Sequence, residues 1–390
     1  MDRALRALGL VLLPLLGLCL PLLLAEGVLR AVPALLPTVI RVQQASRDTV
    51  APLFQEEPTL GWRGQPNGHG RVPTDAGEIP ASQNALGYRG EMYPEDKPAG
   101  VWRVVFLGDS NTWGWGVADG EEFPLLTEQR LRASSPNVQV LNFALPSFGT
   151  DQEYLTYVNV ARRYHPDLVV LVFFAGNDFA DNISEYNPDG TRGKPHFVLD
   201  NGELRLIPTP TAAGSGPRGG KRSPSSGLSS LVNELKESSL TLAVARVELA
   251  YLKGQSSAGG ADANRSRTLD YQQDGPAVTE ALLKRLDADV RADGAQLVVA
   301  LLPPPRDIQL QVGPRQPGGQ PQSVLTWACG LGLSVVDLSP AVAAADQEAG
   351  TAWRGTVAGP HLNPVANRKV ADLLAGLVSP AATTRSSGCP

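Results

Sequence analysis

From Val101 onward the chain alternates short apolar runs with stretches in which apolar residues recur at helical spacing. The runs Arg103 to Leu107, Val138 to Leu141, Leu168 to Phe174, Gln296 to Leu302 and Ser334 to Leu338 predict strands. Between them the spacing predicts helices near Glu122 to Ala133, Asp151 to Tyr164 and Ala277 to Ala292. The last of these is well punctuated: Pro276 suits a first turn, Gly294 follows the end, and Val278, Leu282, Leu286 and Val290 fall on one stripe. A final helix is expected after Asn363 as cap and Pro364 as first residue, running through Val370 and Leu373. Such alternation predicts an α/β fold, a parallel sheet covered by helices on both faces.

The flanks read differently. Between Arg6 and Glu26 no charge interrupts a leucine-rich stretch about as long as a hydrocarbon core of roughly 30 Å requires. It lacks a small-x-small cleavage pattern around Ala25, so an uncleaved transmembrane anchor is expected rather than a signal peptide. Arg3 and Arg6 favour a cytoplasmic N-terminus and an extracytoplasmic, periplasmic bulk, with Arg30, Arg41 and Arg47 pulling the other way. Residues 1–50 are thus expected to form the anchor and linker, 51–100 a turn-rich extended lead-in, 101–380 the main domain and 381–390 a flexible tail. Within the main domain an insertion spans about 185–273. It opens with a hairpin around Asn201-Gly202, continues through a Pro-, Gly- and Ser-rich loop from Thr209 to Ser226, and then predicts a helix from Ser229 to Leu252. A second flexible stretch is expected from Ser256 to Ala263.

Composition narrows the class. The net charge of −5 over 390 residues is far from the basic footprint of a nucleic-acid binder, so no nucleic-acid partner is expected. The three cysteines, Cys19, Cys329 and Cys389, have no metal spacing and are too few for a disulfide scaffold. Cys329 and Cys389 either form one bridge in an oxidising compartment or remain two thiols.

Chemistry concentrates where apolar runs end. The first strand breaks at Gly108-Asp109-Ser110, the third at Gly176-Asn177-Asp178, and Gly359-Pro360-His361-Leu362-Asn363 precedes the last helix. A nucleophile candidate, a carboxamide donor and a base candidate make up the inventory of acyl transfer. Each also has a plainer reading, Ser110 as a helix cap, Asn177 as a turn former and His361 as a solvated loop residue. The rival histidines are worse placed: His165 precedes the third strand, His196 sits in the insertion and His69 in the lead-in. Trp113 and Trp115 either wall a subsite or pack in the core.

These residues resemble the SGNH or GDSL hydrolases, whose four blocks supply Ser, Gly, Asn and His. Gly108-Asp109-Ser110 matches the first block, Gly176-Asn177-Asp178 the third and His361-Leu362-Asn363 the last. The resemblance covers about Val101 to Leu377 and extends to membrane-anchored bacterial members with a lead-in such as Asn84 to Gly90. It implies a flavodoxin-like three-layer sandwich of five parallel strands, with the site at their carboxyl ends, and chemistry needing neither metal nor organic cofactor.

Two departures from that pattern matter. The glycine of the second block, whose backbone N–H helps hold the oxyanion, falls at Ser147, or at Gly149 if the loop shifts. The aspartate usual three residues before the histidine is replaced by Ala358. Neutralising the equivalent acid in a serine protease lowers turnover about 10⁴-fold. Three accounts compete: a backbone carbonyl orients His361 in a Ser-His dyad, an acid from elsewhere such as Asp178 or Glu348 does so, or catalysis is impaired.

The mechanism implied has His361 take the proton of Ser110, which attacks an ester carbonyl. The N–H of Ser110, that of Ser147 or Gly149, and the Asn177 amide hold the oxyanion. The expected function is an ester hydrolase acting at the cell envelope on O-acyl groups of a glycan or on lipid esters. An O-acyltransferase on the same site, or a catalytically impaired glycan-binding or scaffold protein, are the alternatives.

Overall fold

The computed structural model describes residues 20–32, 49–75, 77–186, 193–209, 239, 241, 274–305, 321–356 and 359–380. The chain divides into two compact units, 46–212 with 268–390, and 1–45 with 213–267. In the smaller unit residues 20–31 are helical, with Leu20, Leu22, Leu23, Leu24 and Val28 exposed. Glu26 on this helix accepts hydrogen bonds from the Ser239 hydroxyl (3.0 Å) and the Thr241 hydroxyl (2.9 Å). Among the described residues no helix is long and apolar enough to cross a membrane; residues 1–19 of the expected anchor lie outside them. So do the expected helix from Ser229 to Leu252, apart from residues 239 and 241, and the stretches 210–226 and 256–263.

In the larger unit the segment expected as a lead-in forms two antiparallel hairpins. Strands β1 (Phe54–Glu57) and β2 (Gly61–Gly64) make one hairpin, β3 (His69–Thr74) and β4 (Gly77–Ser82) another. The chain then runs β5 (Trp102–Gly108), α1 (Ser110–Trp113), α2 (Phe123–Ser134), β6 (Val138–Asn142), α3 (Thr150–Asn159), β7 (Leu168–Phe174) and α4 (Asp178–Asp181). The insertion supplies β8 (His196–Asp200) and β9 (Glu203–Ile207), turning on Asn201 and Gly202, both with positive φ. Thereafter come α5 (Asp274–Ala292), β10 (Gln296–Leu302), α6 (Pro321–Gly330), β11 (Ser334–Asp337), α7 (Ser339–Ala349), β12 (Trp353–Thr356), β13 (Gly359–Leu362) and α8 (Pro364–Leu377).

The main sheet has the order β11-β10-β7-β5-β6, every pairing parallel. Counted along the chain this is the 2-1-3-4-5 order of flavodoxin-like sheets, with the switch point between β5 and β7. Alternate residues face alternate layers. Val105, Leu107, Val169 and Leu171 join Leu155, Leu282, Leu286 and Ala328, from α3, α5 and α6. Val104, Phe106, Val170 and Val172 join Phe123, Leu131, Val342, Val370 and Leu374, from α2, α7 and α8. The α5 stripe Val278, Leu282, Leu286 and Val290 is buried throughout, each side chain contributing roughly 1.5–3 kcal/mol. The exposed pairs Glu280–Lys284 and Arg285–Asp289 on the same helix are worth about 0.3–0.5 kcal/mol each. The apolar stripe therefore docks this helix.

A second, antiparallel sheet of order β13-β12-β3-β4 was not foreseen. It unites the lead-in with the segment carrying His361, which lies on β13 rather than in a loop. Cys329, on α6, is disulfide-bonded; Cys389 lies outside the described residues.

Candidate active site

The nucleophile candidate is placed by a tight turn. Strand β5 ends at Gly108, where an added Cβ would stand 2.2 Å from the Thr112 hydroxyl, so only glycine lets α1 fold back this closely. Asp109 caps α1, its carboxylate accepting the Asn111 N–H at 2.8 Å. Burial pushes that carboxyl up to about 6, against the lowering effect of the Asn111 bonds. Ser110 therefore opens a helix, where its own N–H has no partner within the helix.

His361 arrives from the second sheet. Its Nε2 lies 2.8 Å from Ser110 Oγ, and its Nδ1 lies 3.0 Å from Thr356 Oγ1. The β12–β13 register produces the second contact by pairing Thr356 with Gly359 and Arg354 with His361. The Asn111 side chain fixes the same strand from below, its Oδ1 accepting the Leu362 N–H at 3.3 Å. Asn363 then caps α8, accepting from the Ala366 N–H.

The two carboxylates expected as orienting acids are engaged elsewhere. Asp178 is buried and accepts the Phe174 N–H at 2.8 Å. Glu348, on α7, pairs with Lys369 at 2.6 Å, a bond that holds its carboxyl below the usual range. Neither bonds the imidazole, because Asp178 is turned into the base of its own strand end and Glu348 points toward α8. Ala358 lies outside the described residues.

The donor candidates flank Ser110 on the two strands beside β5. Ser147, after β6, has φ +63°, the left-handed region that favours glycine and matches the glycine of the second block. The loop carrying it is held by the Trp62 indole donating to the Pro146 carbonyl (3.0 Å) and by the Gln152 amide donating to the Leu60 carbonyl (2.6 Å). Gly149 is extended and caps α3; a Cβ there would press on Asn182 Oδ1 and the Asp181 side chain. Packing thus accounts for Gly149, and of the two only Ser147 has the positive φ that suits a glycine. Asn177, after β7, donates from Nδ2 to Asp181 Oδ2 at 2.8 Å, while its buried Oδ1 has no hydrogen-bond partner.

Behind the donors lies a group of buried carboxyls that sequence reasoning did not assemble. Glu153 is buried, and among the described residues neither of its oxygens has a hydrogen-bond partner. Burial first, then repulsion from Asp109, Asp151 and Asp181, pushes it well above the usual carboxylate range. Burial and the neighbouring Glu153 and Asp109 do the same for Asp178. Burial raises Asp181 to about 7, against the attraction of Lys194. Lys194, itself buried, forms an ion pair with Asp151. Among the described residues no such group is arranged to hold a metal ion.

Other residues were legible only in part. Trp113 is fully buried and belongs to the core; Trp115 is nearly so, its ring 6.1 Å from that of His361. Arg89, from the lead-in, is buried and donates to the carbonyls of Gly114 (2.6 Å) and Val117 (3.2 Å), just past α1. Its guanidinium stacks 4.8 Å above the Trp113 ring and pairs with Asp119. Arg89, on the turn Asn84 to Gly90, therefore clamps the end of α1, the helix that Ser110 opens.

A serine bonded to an imidazole at the carboxyl ends of a flavodoxin-ordered sheet is the arrangement of a serine hydrolase. The chain belongs to the GDSL-like lipase/acylhydrolase family, which it matches over residues 106–369, and is a serine esterase of the SGNH/GDSL superfamily. No curated protein is significantly similar to it in sequence. Solved structures similar to it include a lipase/acylhydrolase from Enterococcus faecalis, 13% identical, covering 74% of this chain and all of that one, with a TM-score of 0.39. Another is TesA, 13% identical over 70% of this chain and 95% of that one, TM-score 0.38. A third is the psychrotrophic esterase EstA from Pseudoalteromonas sp., 10% identical over 70% and 93%, TM-score 0.35.

Proposed function

We propose that the chain is an envelope-facing ester hydrolase that removes O-acyl groups from a glycan or a lipid ester through an acyl-serine intermediate. The observation that carries this reading is the 2.8 Å contact between Ser110 Oγ and His361 Nε2. In the productive tautomer Nδ1–H donates to the Thr356 hydroxyl, leaving Nε2 free to accept the serine proton. Ser110 attacks the ester carbonyl, and its oxygen becomes an oxyanion facing the N–H groups of Ser110 and Ser147 and the Asn177 amide. His361 returns the proton to the leaving alcohol, and water resolves the acyl-enzyme by the same steps. Thr356 is a neutral partner of the imidazole, whereas Asp178 and Glu348, weighed from sequence as orienting acids, are bonded elsewhere.

The envelope assignment rests on the uncharged stretch between Arg6 and Glu26, the exposed leucines of helix 20–31 and a disulfide at Cys329, a bond favoured in oxidising compartments. Purified full chain should hydrolyse short-chain and glycan-borne acyl esters, and Ser110→Ala should abolish turnover. Transfer of the acyl group to an added sugar acceptor in preference to water would make it an acyltransferase. Equal turnover by wild type and Ser110→Ala would remove the hydrolase assignment altogether.

A further inference from the structure

Resting on that reading of Asn177 as an oxyanion donor, we propose that Asp181 is a positioning residue that aims the Asn177 carboxamide at the reacting oxygen. Asn177 is the N-cap of α4, yet its side chain makes no capping bond to that helix. Among the described residues the carboxamide's only hydrogen bond runs from Nδ2 to Asp181 Oδ2, at 2.8 Å, one helical turn along. The backbone locks the pair in register, because the N–H groups of Ala180 and Asp181 both donate to the Asn177 carbonyl (2.8 and 2.9 Å).

A primary amide carries two N–H donors about 120° apart on one planar nitrogen, so holding one sets the direction of the other. The carboxylate also tells the two ends of the carboxamide apart. When ionised it accepts from Nδ2 and repels Oδ1, so above about pH 7, where it has lost its proton, the amide cannot flip and present an oxygen to the developing oxyanion. Asp181 is itself fixed, since α4 is tied down on its far side. Asn182 Oδ1 accepts the Asp151 N–H at 3.1 Å, and its Nδ2 donates to the Thr279 hydroxyl at 2.7 Å.

The test is a double-mutant cycle on the full chain with p-nitrophenyl acetate as substrate, with thermal unfolding of each variant recorded alongside. Asp181→Ala should lower kcat about tenfold with KM within about twofold, the loss of one hydrogen bond to a charged group. Asp181→Asn, isosteric but able to donate as well as accept, should fall between it and wild type; it carries the test if Asp181→Ala does not fold. In an Asn177→Ala background neither substitution should cost more than about twofold further, since there is no carboxamide left to aim. The proposal is overturned if either variant costs the same factor in both backgrounds, or if neither lowers kcat by more than about twofold. A loss confined to KM overturns it as well. Failure of the underlying reading shows separately, as an Asn177→Ala enzyme with unchanged kcat.

Discussion

The two flanks of Ser110 are built on opposite electrostatic plans. On the base side, His361 is backed by a neutral hydroxyl, Thr356. On the donor side, Asn177 is backed by Asp181, with Asp178, Glu153 and Asp109 buried nearby. A carboxylate behind the imidazole would stabilise the imidazolium that forms at each proton transfer. Ionised carboxylates behind the oxyanion donors would oppose the charge that develops there. Burial eases the second conflict at Glu153 and Asp178, holding both well above the usual range and so favouring their neutral forms; Asp181, raised to about 7, is the carboxyl left to take up the Asn177 amide. Acid residues buried near a serine therefore need not bond its imidazole: among the described residues Asp109, Glu153 and Asp178 do not bond His361, and Thr356 does.

Breaking the donor flank should cost the most among the supporting residues. Asn177→Ala is expected to lower kcat by about 10²–10³, the usual result of removing one oxyanion donor, with KM little changed in steady-state ester hydrolysis. A loss below about fivefold would shift the donor role to the main-chain N–H groups alone.

Breaking the base flank should cost less. Thr356→Ala is expected to lower kcat about tenfold, since a hydroxyl fixes the tautomer without neutralising the imidazolium. A loss nearer the 10⁴-fold typical of a missing triad carboxylate would mean that the two flanks are not so unequal.

The smallest effect concerns stability. Glu153 has its carboxyl raised in the folded protein, so between its unfolded and folded values the native state binds more protons. Stability therefore falls as pH rises through that window. Glu153→Gln removes this loss. Thermal unfolding should show the variant more stable than wild type at pH 8 and no different from it near pH 4. A variant less stable at pH 8 would show that the carboxylate has favourable interactions that this account omits.

The main sheet was legible because its strands are unbroken apolar runs. Leu168 to Phe174 is buried at every position, and the strand boundaries at Gln296 and Leu302 coincide with the hydropathy pattern. Ser110 and Asn177 stand in the sequence as punctuation at the ends of such runs and His361 as the imidazole just before the last helix, and the structure brings Ser110 and His361 into contact. The second sheet was not, because β12 and β13 are four residues each and β3, which pairs with β12, lies more than 270 residues upstream of Thr356. Thr356 becomes visible as the neighbour of His361 only once that register is known. Asp181 did carry a signal, its four-residue spacing from Asn177 where a strand gives way to a helix. Arg89 carried none beyond its place in a turn, since its targets are main-chain carbonyls that any sequence would supply.

The central claim is that His361 activates Ser110 as the nucleophile, and covalent labelling by a fluorophosphonate probe tests it most directly. Intact-mass and peptide analysis should find a single adduct on Ser110 in the wild type. The adduct should be lost in Ser110→Ala and formed far more slowly in His361→Ala. Labelling that persists in Ser110→Ala, or that proceeds at the wild-type rate without His361, would contradict the account.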